Sequence, residues 1–308
     1  MLQIAFIREN QEKVLKALAK RNMDAKSIVE QAVQLDEKRR ATQAEMDNIL
    51  SESNKLSKDI GELMKSGEKS KAEILKQKNV SLKEKSKDLS EKLDVFTEEL
   101  NQQLYLLPNL PADLVPEGKT PEDNLTTLQE GEIPVLHEGA LPHWELVKKY
   151  DIIDFELGNK ITGAGFPVYK GKGAKLQRAL ITYFLDKNTD AGYQEYQVPH
   201  LVNEASAYGT GQLPDKEGQM YHDKTDDLYL IPTAEVPVTN LFRDVLLHEN
   251  ELPVLATAYT PCFRREAGSY GAHVRGLNRL HQFDKVEIVR VEHPDKSYEA
   301  LEGMVEHV

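Results

Sequence analysis

Residues 1–105 contain no proline, and through much of that stretch apolar residues recur at steps of seven. One frame runs Leu35, Thr42, Ile49, Leu56, Leu63, with Arg39, Met46, Ser53 and Ile60 offset by four. A second runs Leu75, Leu82, Leu89, Phe96, with Asn79, Ser86, Leu93 and Leu100 offset by four. A period of 3.5 over about four heptads marks a coiled coil, because only a supercoiled seam keeps such positions on one partner. Between the frames lies the polar stretch Met64–Ser70 with Gly67 at its centre. Helices joined by so short a link must run antiparallel. The pattern predicts a helical hairpin with arms of about 30 residues, hence roughly 45 Å long at 1.5 Å per residue. A shorter helix from Ile7 to about Arg21 precedes it.

Charge is distributed unevenly over this frame. The whole chain has 308 residues and a net charge of −12, from 39 Lys and Arg against 51 Asp and Glu. Such an acidic balance argues against a polyanion binder. Residues 55–87, however, carry ten lysines against five acids, so the far end of the arm is +5 and the remainder −17. A lysine-rich coiled-coil face is ordinarily a solvated face. The alternative is binding to a phosphate backbone, which needs clustered cations within a Debye length of roughly 8 Å.

Other classes are excluded by simpler features. The single cysteine rules out a disulfide framework or a multi-cysteine zinc site, and fits a reducing compartment. No run approaches the ~18 apolar residues of a membrane span. The start MLQIAFIREN lacks the basic region and long apolar core of a secretory signal. The expectation is a cytoplasmic chain without a membrane partner.

Three regions follow from composition. The helical arm occupies 1–107. A linker at 108–134 holds Pro108, Pro111, Pro116, Pro121 and Pro134, and each proline removes a donor and turns its predecessor away from helix. Residues 135–308 are mixed. Trp144–Lys149 and Lys175–Asn188 read as helices, and Tyr193–Val198, Leu228–Ile231, Ala256–Phe263 and Gln282–Val291 as strands. Strands joined mainly as hairpins, with helices set apart from them, indicate an α+β domain with an antiparallel sheet.

The segment 256–291 carries the chemistry. It reads as a strand from Ala256 through Arg264, Arg265 and Glu266, a glycine-rich loop from Ala267 to Asn278, and a second strand from Arg279 to Ile288. Period two places Arg264 and Glu266 on one face of the first strand, and Arg279, Phe283 and Glu287 on one face of the second. Paired as a hairpin, these faces form one surface with two arginines, two carboxylates and a ring. A dry core cannot hold that set, since unpaired charges there cost several kcal/mol. Two readings remain: a surface ladder of ion pairs, or a nucleotide site with arginines for phosphates and an aromatic for the base.

The string Phe263-Arg264-Arg265-Glu266, the glycine loop and Arg279-x-x-x-Phe283 resemble motif 2 of the class II aminoacyl-tRNA synthetases. CFRREAG with RGLNRLHQFDKVE, and IPTAEVPVTNL at 231–241, resemble the seryl-tRNA synthetase family in particular. GAKLQRAL at 173–180, Val198-Pro199, GTGQLP at 209–214, IREN at 7–10 and NKLSKDIG at 54–61 fit the same family. The resemblance covers essentially the whole chain. It implies an α+β fold in which a coiled-coil hairpin precedes a class II catalytic domain with an antiparallel sheet flanked by helices. It implies an ATP site of Arg264, Arg265, Glu266, Arg279 and Phe283, with Arg264 on the α-phosphate, Glu266 and Phe283 on adenine and Arg279 on the outer phosphates. It implies a serine site of Thr233, Ala234, Glu235, Arg264 and Glu287. Taken alone, Thr233 reads as an ordinary helix cap. The implied partners are L-serine, ATP with Mg²⁺, serine tRNA and a second copy of the chain, with no zinc. The tRNA's long variable arm would meet Lys65, Lys69, Lys71, Lys76 and Lys78, and the dimer would form around Lys175–Val202, including Pro199.

Cys262 and His281 are expected to be structural, and His200, His222, His248 and His273 show no metal-ligand spacing. The sequence departs from the family pattern at Gly271–Arg275, which lacks an expected Arg-Asp-Thr. It also departs after Glu287, where no third motif with a γ-phosphate arginine follows. The Mg²⁺ ligand is therefore expected beyond residue 308, and weak or absent activation by these residues alone. The competing expectation is a synthetase-like module that binds tRNA or ligand without activating it.

Overall fold

In the computed structural model, residues 2–266 and 275–308 are described. Most of the glycine loop and His273 therefore lie outside the described residues. The chain divides into two compact units, Met1–Ile133 and Pro134–Val308.

In the first unit, α1 (Ile4–Glu9) and α2 (Gln11–Ala19) precede α3 (Lys26–Lys65) and α4 (Lys69–Tyr105). The single helix expected from Ile7 to Arg21 is thus two. Asn10 interrupts it at φ −132°, ψ 37°, and its side-chain amide donates to the Phe6 carbonyl at 3.0 Å, a local bond that competes with helix. The long helices have 40 and 37 residues, about 60 and 55 Å, longer than the expected 30 residues. The excess at the base has a packing cause. Val29 and Ala32, which precede the first heptad frame, are buried with Ile7, Val14, Leu18 and Leu104, so helix is rewarded there by α1 and α2. At the far end Gly67 turns the chain at φ +83°, a conformation that favours glycine.

Every position of both heptad frames is buried or half-buried. Two of the buried positions, Ser53 and Asn79, are polar. Buried Ser53 donates to Asn79 Oδ1 at 2.6 Å, and the Asn79 amide donates to Ser57 Oγ at 3.0 Å. A paired polar layer inside an apolar seam penalises slipped registers, which would leave these groups unpartnered. Near the base, Asp36 is fully buried and bound by Arg8 at 2.6 Å and Arg39 at 2.8 Å. Burial would push its carboxyl upward, but the hydrogen bonds from Arg39 and Arg8 hold it below the ordinary pKa. The first part of the proline-rich segment is tied to this unit. Lys20 donates to the carbonyls of Asp113 and Val115 at 3.0 and 3.2 Å, and Arg21 to that of Asn109 at 3.1 Å.

The second unit contains α5 (His143–Lys149), β1 (Ile153–Asp154), α6 (Phe155–Ile161), β2 (Val168–Tyr169) and α7 (Lys172–Asp190). Then come β3 (Gln194–Glu195), β4 (Leu201–Val202), α8 (Glu204–Gly209), β5 (Tyr221–Asp223), β6 (Leu228–Leu230), α9 (Glu235–Asn240), β7 (Val254–Phe263), β8 (Gln282–Val291) and α10 (Ser297–His307). The sheets are β1-β2, β3-β7-β8 and β4-β6-β5. All pairings are antiparallel except β3 with β7, which is parallel, so the expected antiparallel sheet has one parallel edge. The strand expected over 193–198 is ladder-paired at two residues only, Gln194 and Glu195.

The long hairpin β7–β8 has a different use for each face. Opposite residues of an antiparallel pair share a face. Ala256 and Ala258 pack under Ala234 and Val238 of the α9 region. On the reverse face, Tyr259 donates to Asp284 at 2.6 Å, and Gln177 of α7 bonds the same carboxylate. At the loop the strands end at Phe263 and Gln282, as the alternating runs predict, short of the wider reading that continued through Glu266 and began at Arg279. Beyond Phe263 the Arg265 amide bonds Gln219 O rather than the partner strand, and before Gln282 the His281 amide bonds Gly165 O, each at 2.9 Å. Arg264, Glu266 and Arg279 therefore sit past the strand ends.

Replacing Arg8 with Ala leaves the buried Asp36 carboxylate with one cation. The expected loss is about 2 kcal/mol at pH 7, measured by urea unfolding of the full chain. Because the Asp36 pKa is depressed in the folded state, this difference is full above the ordinary carboxylate range. It should shrink as the pH falls below about 4.

Candidate active site

Beyond α9, the same face of the hairpin is open. There Ala258 pairs with Glu287, Thr260 with Lys285 and Cys262 with Phe283. Small, fully buried residues on β7 thus stand beside half-buried Phe283, Lys285 and Glu287 on β8. The floor was legible as a period-two pattern. Lys285 shares its parity, lying between Phe283 and Glu287, yet the sequence reading passed over it.

Three backbone bonds bring further chain to this floor. Phe263 N–H donates to Ile231 O at 2.8 Å, which lays Pro232 and Thr233 against the end of β7. Arg264 N–H donates to His281 O at 2.9 Å, and Arg265 N–H to Gln219 O at 2.9 Å. The result is a cleft of about 490 Å³ lined by Thr233, Glu235, Arg264, Glu266 and Arg279, with Pro232, Lys285, Gln212, Glu217 and Gln219. Gln212, Glu217 and Gln219 were not singled out from the sequence. Gln212 belongs to the GTGQLP string, whereas the other two lie in a segment without periodicity.

Arg264 bridges the two ends of this cleft. Its guanidinium stacks over the Phe283 ring at 5.1 Å, and its Nε donates to Pro232 O at 3.3 Å. Arg279 reaches Glu266 at 3.8 Å and is largely exposed. Glu266 has φ +48°, a left-handed conformation that turns the chain directly after the arginine pair. At the other end, Thr233 donates to Glu287 Oε2 at 2.8 Å. Thr233 also accepts from the Glu235 backbone N–H at 3.1 Å, so the ordinary capping role and a site role coexist in one side chain.

Two residues assigned to the site lie elsewhere. Ala234 is fully buried among Val198, Val238, Ala256 and Ala258, where its side chain is part of the core. Arg265 stacks over Tyr221 at 6.0 Å. His281 stacks on Phe166 at 5.1 Å, and its Nδ1 is hydrogen-bonded to the Tyr221 hydroxyl at 2.8 Å. Gly165 lies so close to this ring that a Cβ would meet it at 2.4 Å. Cys262 is fully buried, and burial pushes its thiol pKa up. Both are structural, and the thiol is protonated at neutral pH. Among the described residues no three His, Cys, Asp or Glu side chains converge to hold a metal ion.

On the arm, Lys65, Lys69, Lys71, Lys76 and Lys78 are all exposed. Lys71 pairs with Glu68, Lys76 with Glu73 at 3.3 Å, and Lys78 with Glu52 at 2.7 Å. Exposed pairs of this kind contribute at most about 1 kcal/mol, so they can be exchanged for another anion.

Comparison with known proteins agrees with both units. Residues 1–111 match the seryl-tRNA synthetase N-terminal domain, and residues 219–308 match the tRNA synthetase class II core domain of the G, H, P, S and T group. The serine–tRNA ligase of Salinibacter ruber is 45% identical over 306 residues, covering 99% of this chain and 72% of the relative. That of Hydrogenobaculum sp. is 47% identical over 308 residues, with 99% and 72% covered. Among solved structures, seryl-tRNA synthetase from Pyrococcus horikoshii complexed with ATP superposes with a TM-score of 0.83 at 29% identity, covering 99% of this chain and 73% of that one. Cytoplasmic serine–tRNA ligase from Naegleria fowleri in complex with AMP gives 0.79 at 25% identity, with 100% and 70% covered. An arm and a motif-2 cleft of this geometry, in a chain so closely related to named ligases over its full length, identify it as a member of the seryl-tRNA synthetase family.

Proposed function

We propose that the cleft binds ATP and L-serine and joins them as seryl-adenylate, and that the seryl group then passes to the 3′ end of serine tRNA. The observation that carries this reading is the β7–β8 register, which sets Phe283 and Glu287 on one face either side of Lys285, where they meet Arg264 and Thr233 of the cleft lining. Phe283 offers a face for adenine, with Glu266 positioned to accept from its exocyclic amine. Arg264 takes the α-phosphate as a planar bidentate donor, and Arg279 the outer phosphates, while Arg265 stays on Tyr221 outside the cleft. Thr233, Glu235 and Glu287 supply the oxygens for serine's ammonium and hydroxyl, with Ala234 holding that segment in place from the core. Rejection of alanine follows, because groups built to bond a hydroxyl are left unpaired without it.

The chemistry needs no protein nucleophile. Serine's carboxylate attacks the α-phosphorus, pyrophosphate leaves with the electron pair, and a ribose hydroxyl of the tRNA end later displaces AMP. The protein's part is alignment and stabilisation of charge by the arginines. Mg²⁺ would neutralise the ATP phosphates when bound. Among the described residues no three His, Cys, Asp or Glu side chains converge to hold it without the nucleotide.

Two further parts complete the reading. The exposed arm lysines would contact the phosphate backbone of the tRNA's long variable arm. Leu176, Leu180, Tyr183 and Phe184 lie exposed along α7 at helical spacing, an apolar stripe suited to a two-fold partner in a homodimer. The cytoplasm, where tRNA and ATP meet, is the compartment in which this function would operate.

Calorimetric titration of ATP and L-serine, with serine-dependent ATP–pyrophosphate exchange assayed beside it, tests the site. Phe283→Ala should weaken ATP binding about tenfold or more, the cost of one lost base stack, and leave serine binding nearly unchanged. Equal ATP affinity in the variant would remove Phe283 from the nucleotide site. Binding of both ligands with no exchange would favour a binding module. For the arm, joint replacement of Lys69, Lys71, Lys76 and Lys78 by Ala should weaken tRNA binding and flatten its dependence on salt; an unchanged slope would return these lysines to a solvated face. Sedimentation should find a dimer that Tyr183→Asp dissociates.

A further inference from the structure

Thr233 and Glu287, which the proposed serine site assigns to the substrate, are already engaged by a third side chain. Lys285 Nζ donates to Thr233 Oγ1 at 2.8 Å and lies 2.6 Å from Glu287 Oε2. The Thr233 hydroxyl donates to that same carboxylate oxygen at 2.8 Å and accepts from the Glu235 backbone N–H at 3.1 Å. A hydroxyl offers one donor and two acceptor positions, so all three of Thr233's are taken. An amino acid can reach this hydroxyl only when one bond is given up. The Glu235 N–H is fixed by the backbone at the start of α9, and Glu287 is rooted in β8. The third bond ends on an ammonium at the tip of a flexible four-carbon stem, and the Lys285 side chain is 33% exposed.

The chemistry of that tip is the chemistry of an α-amino acid's own ammonium: one positive charge and three N–H donors. A substrate ammonium can replace it like for like and leave the Glu287 carboxylate neutralised throughout. Lys285 also stands midway along the floor. At about 3.4 Å per residue it is roughly 7 Å along the strand from both Phe283 and Glu287, between the end read as the base site and the end read as the amino-acid site. An ammonium released there faces the region into which Arg264 also points, where a phosphate and a carboxylate would be brought together.

We propose that Lys285 is an internal stand-in for the substrate ammonium. It closes the Thr233–Glu287 pair in the empty cleft, is displaced by the α-ammonium of the incoming hydroxy-amino acid, and then lies against the anions of the nucleotide half. The proposal rests on the serine reading of the cleft. It makes Lys285 a specificity-determining residue, because a ligand must supply its own cation to take the lysine's place. It also couples the two substrates. Nucleotide phosphates hold the displaced lysine away and so strengthen amino-acid binding, and the amino acid strengthens nucleotide binding by the same factor.

The test is titration of L-serine into the full chain, with and without α,β-methylene ATP, which cannot be cleaved at the α-phosphorus. Lys285→Met removes the competitor, so serine should bind about fivefold or more tightly without nucleotide, and the enhancement produced by the analogue should fall towards one. Lys285→Arg keeps a cation and should retain the enhancement. A gain in affinity cannot arise from misfolding, and Lys285→Gln serves the same purpose should the Met variant not fold. In the unaltered chain, reductive methylation of Lys285 followed by mass spectrometry should rise severalfold on adding serine. Serine affinity that is unchanged or weakened in Lys285→Met and Lys285→Gln, or methylation that serine does not alter, would overturn the proposal and leave the serine site standing. No serine binding to the unaltered chain would overturn the serine reading, and this proposal with it.

Discussion

The pairing of β7 with β8 is the constraint on which the site depends. A slip of one residue in an antiparallel pair sends every side chain to the opposite face, and here the two faces do incompatible things. One packs Tyr259 and Asp284 against α7 through Gln177. The other is apolar under α9, where Ala256 and Ala258 lie buried, and polar beyond it, where Phe283, Lys285 and Glu287 form the floor. Buried alanines at one end and a paired carboxylate at the other specify a single register, because any other would bury a charge or expose the core. The cleft is thus secured by the same packing that holds the second unit together.

The arm solves a related problem with less material. A coiled coil of two long helices is uniform along its length and could slide by a heptad. One polar feature prevents this, and a second fixes α1 on the base of the arm. The Ser53–Asn79–Ser57 layer can be satisfied in one alignment, and Asp36 meets both arginines only where α1 lies against the base of α3. Each is weak or costly as a source of stability and valuable as a source of specificity. The exposed lysines are left outside this framework. Their pairs with glutamates are loose surface contacts, so the face is available to a polyanion without disturbing the seam.

Legibility followed periodicity. The heptad frames, the short reversal at Gly67 and the long strands of the hairpin could be read directly, since a repeat of 3.5 or 2 reflects which side of an element meets its neighbour. The frames began too late at the base of the arm, where Val29 and Ala32 answer to α1 and α2 as well as to the opposite long helix. The break at Asn10 was hidden inside an amphipathic pattern that continues across it. The wider reading of the two strands overran the ladder because Arg264, Glu266 and Arg279 keep the alternation after it has stopped. Gln219, whose carbonyl receives the Arg265 amide, lies in a stretch with no pattern at all.

Sequence alone determined the long helical hairpin, the alternation that gathers charged and aromatic residues on one face of 256–291, and the family to which its strings point. Those are properties of local order, in which spacing along the chain maps onto one face of one element. Tertiary structure decided which of these residues share a cavity. It brought the 231–233 segment to the end of β7, withdrew Ala234 into the core, turned Arg265 to Tyr221 and set Lys285 between Thr233 and Glu287. Such contacts join residues some fifty positions apart, as in Lys285 with Thr233. Only packing, which answers to volume and to unsatisfied hydrogen bonds across the whole unit, selects them.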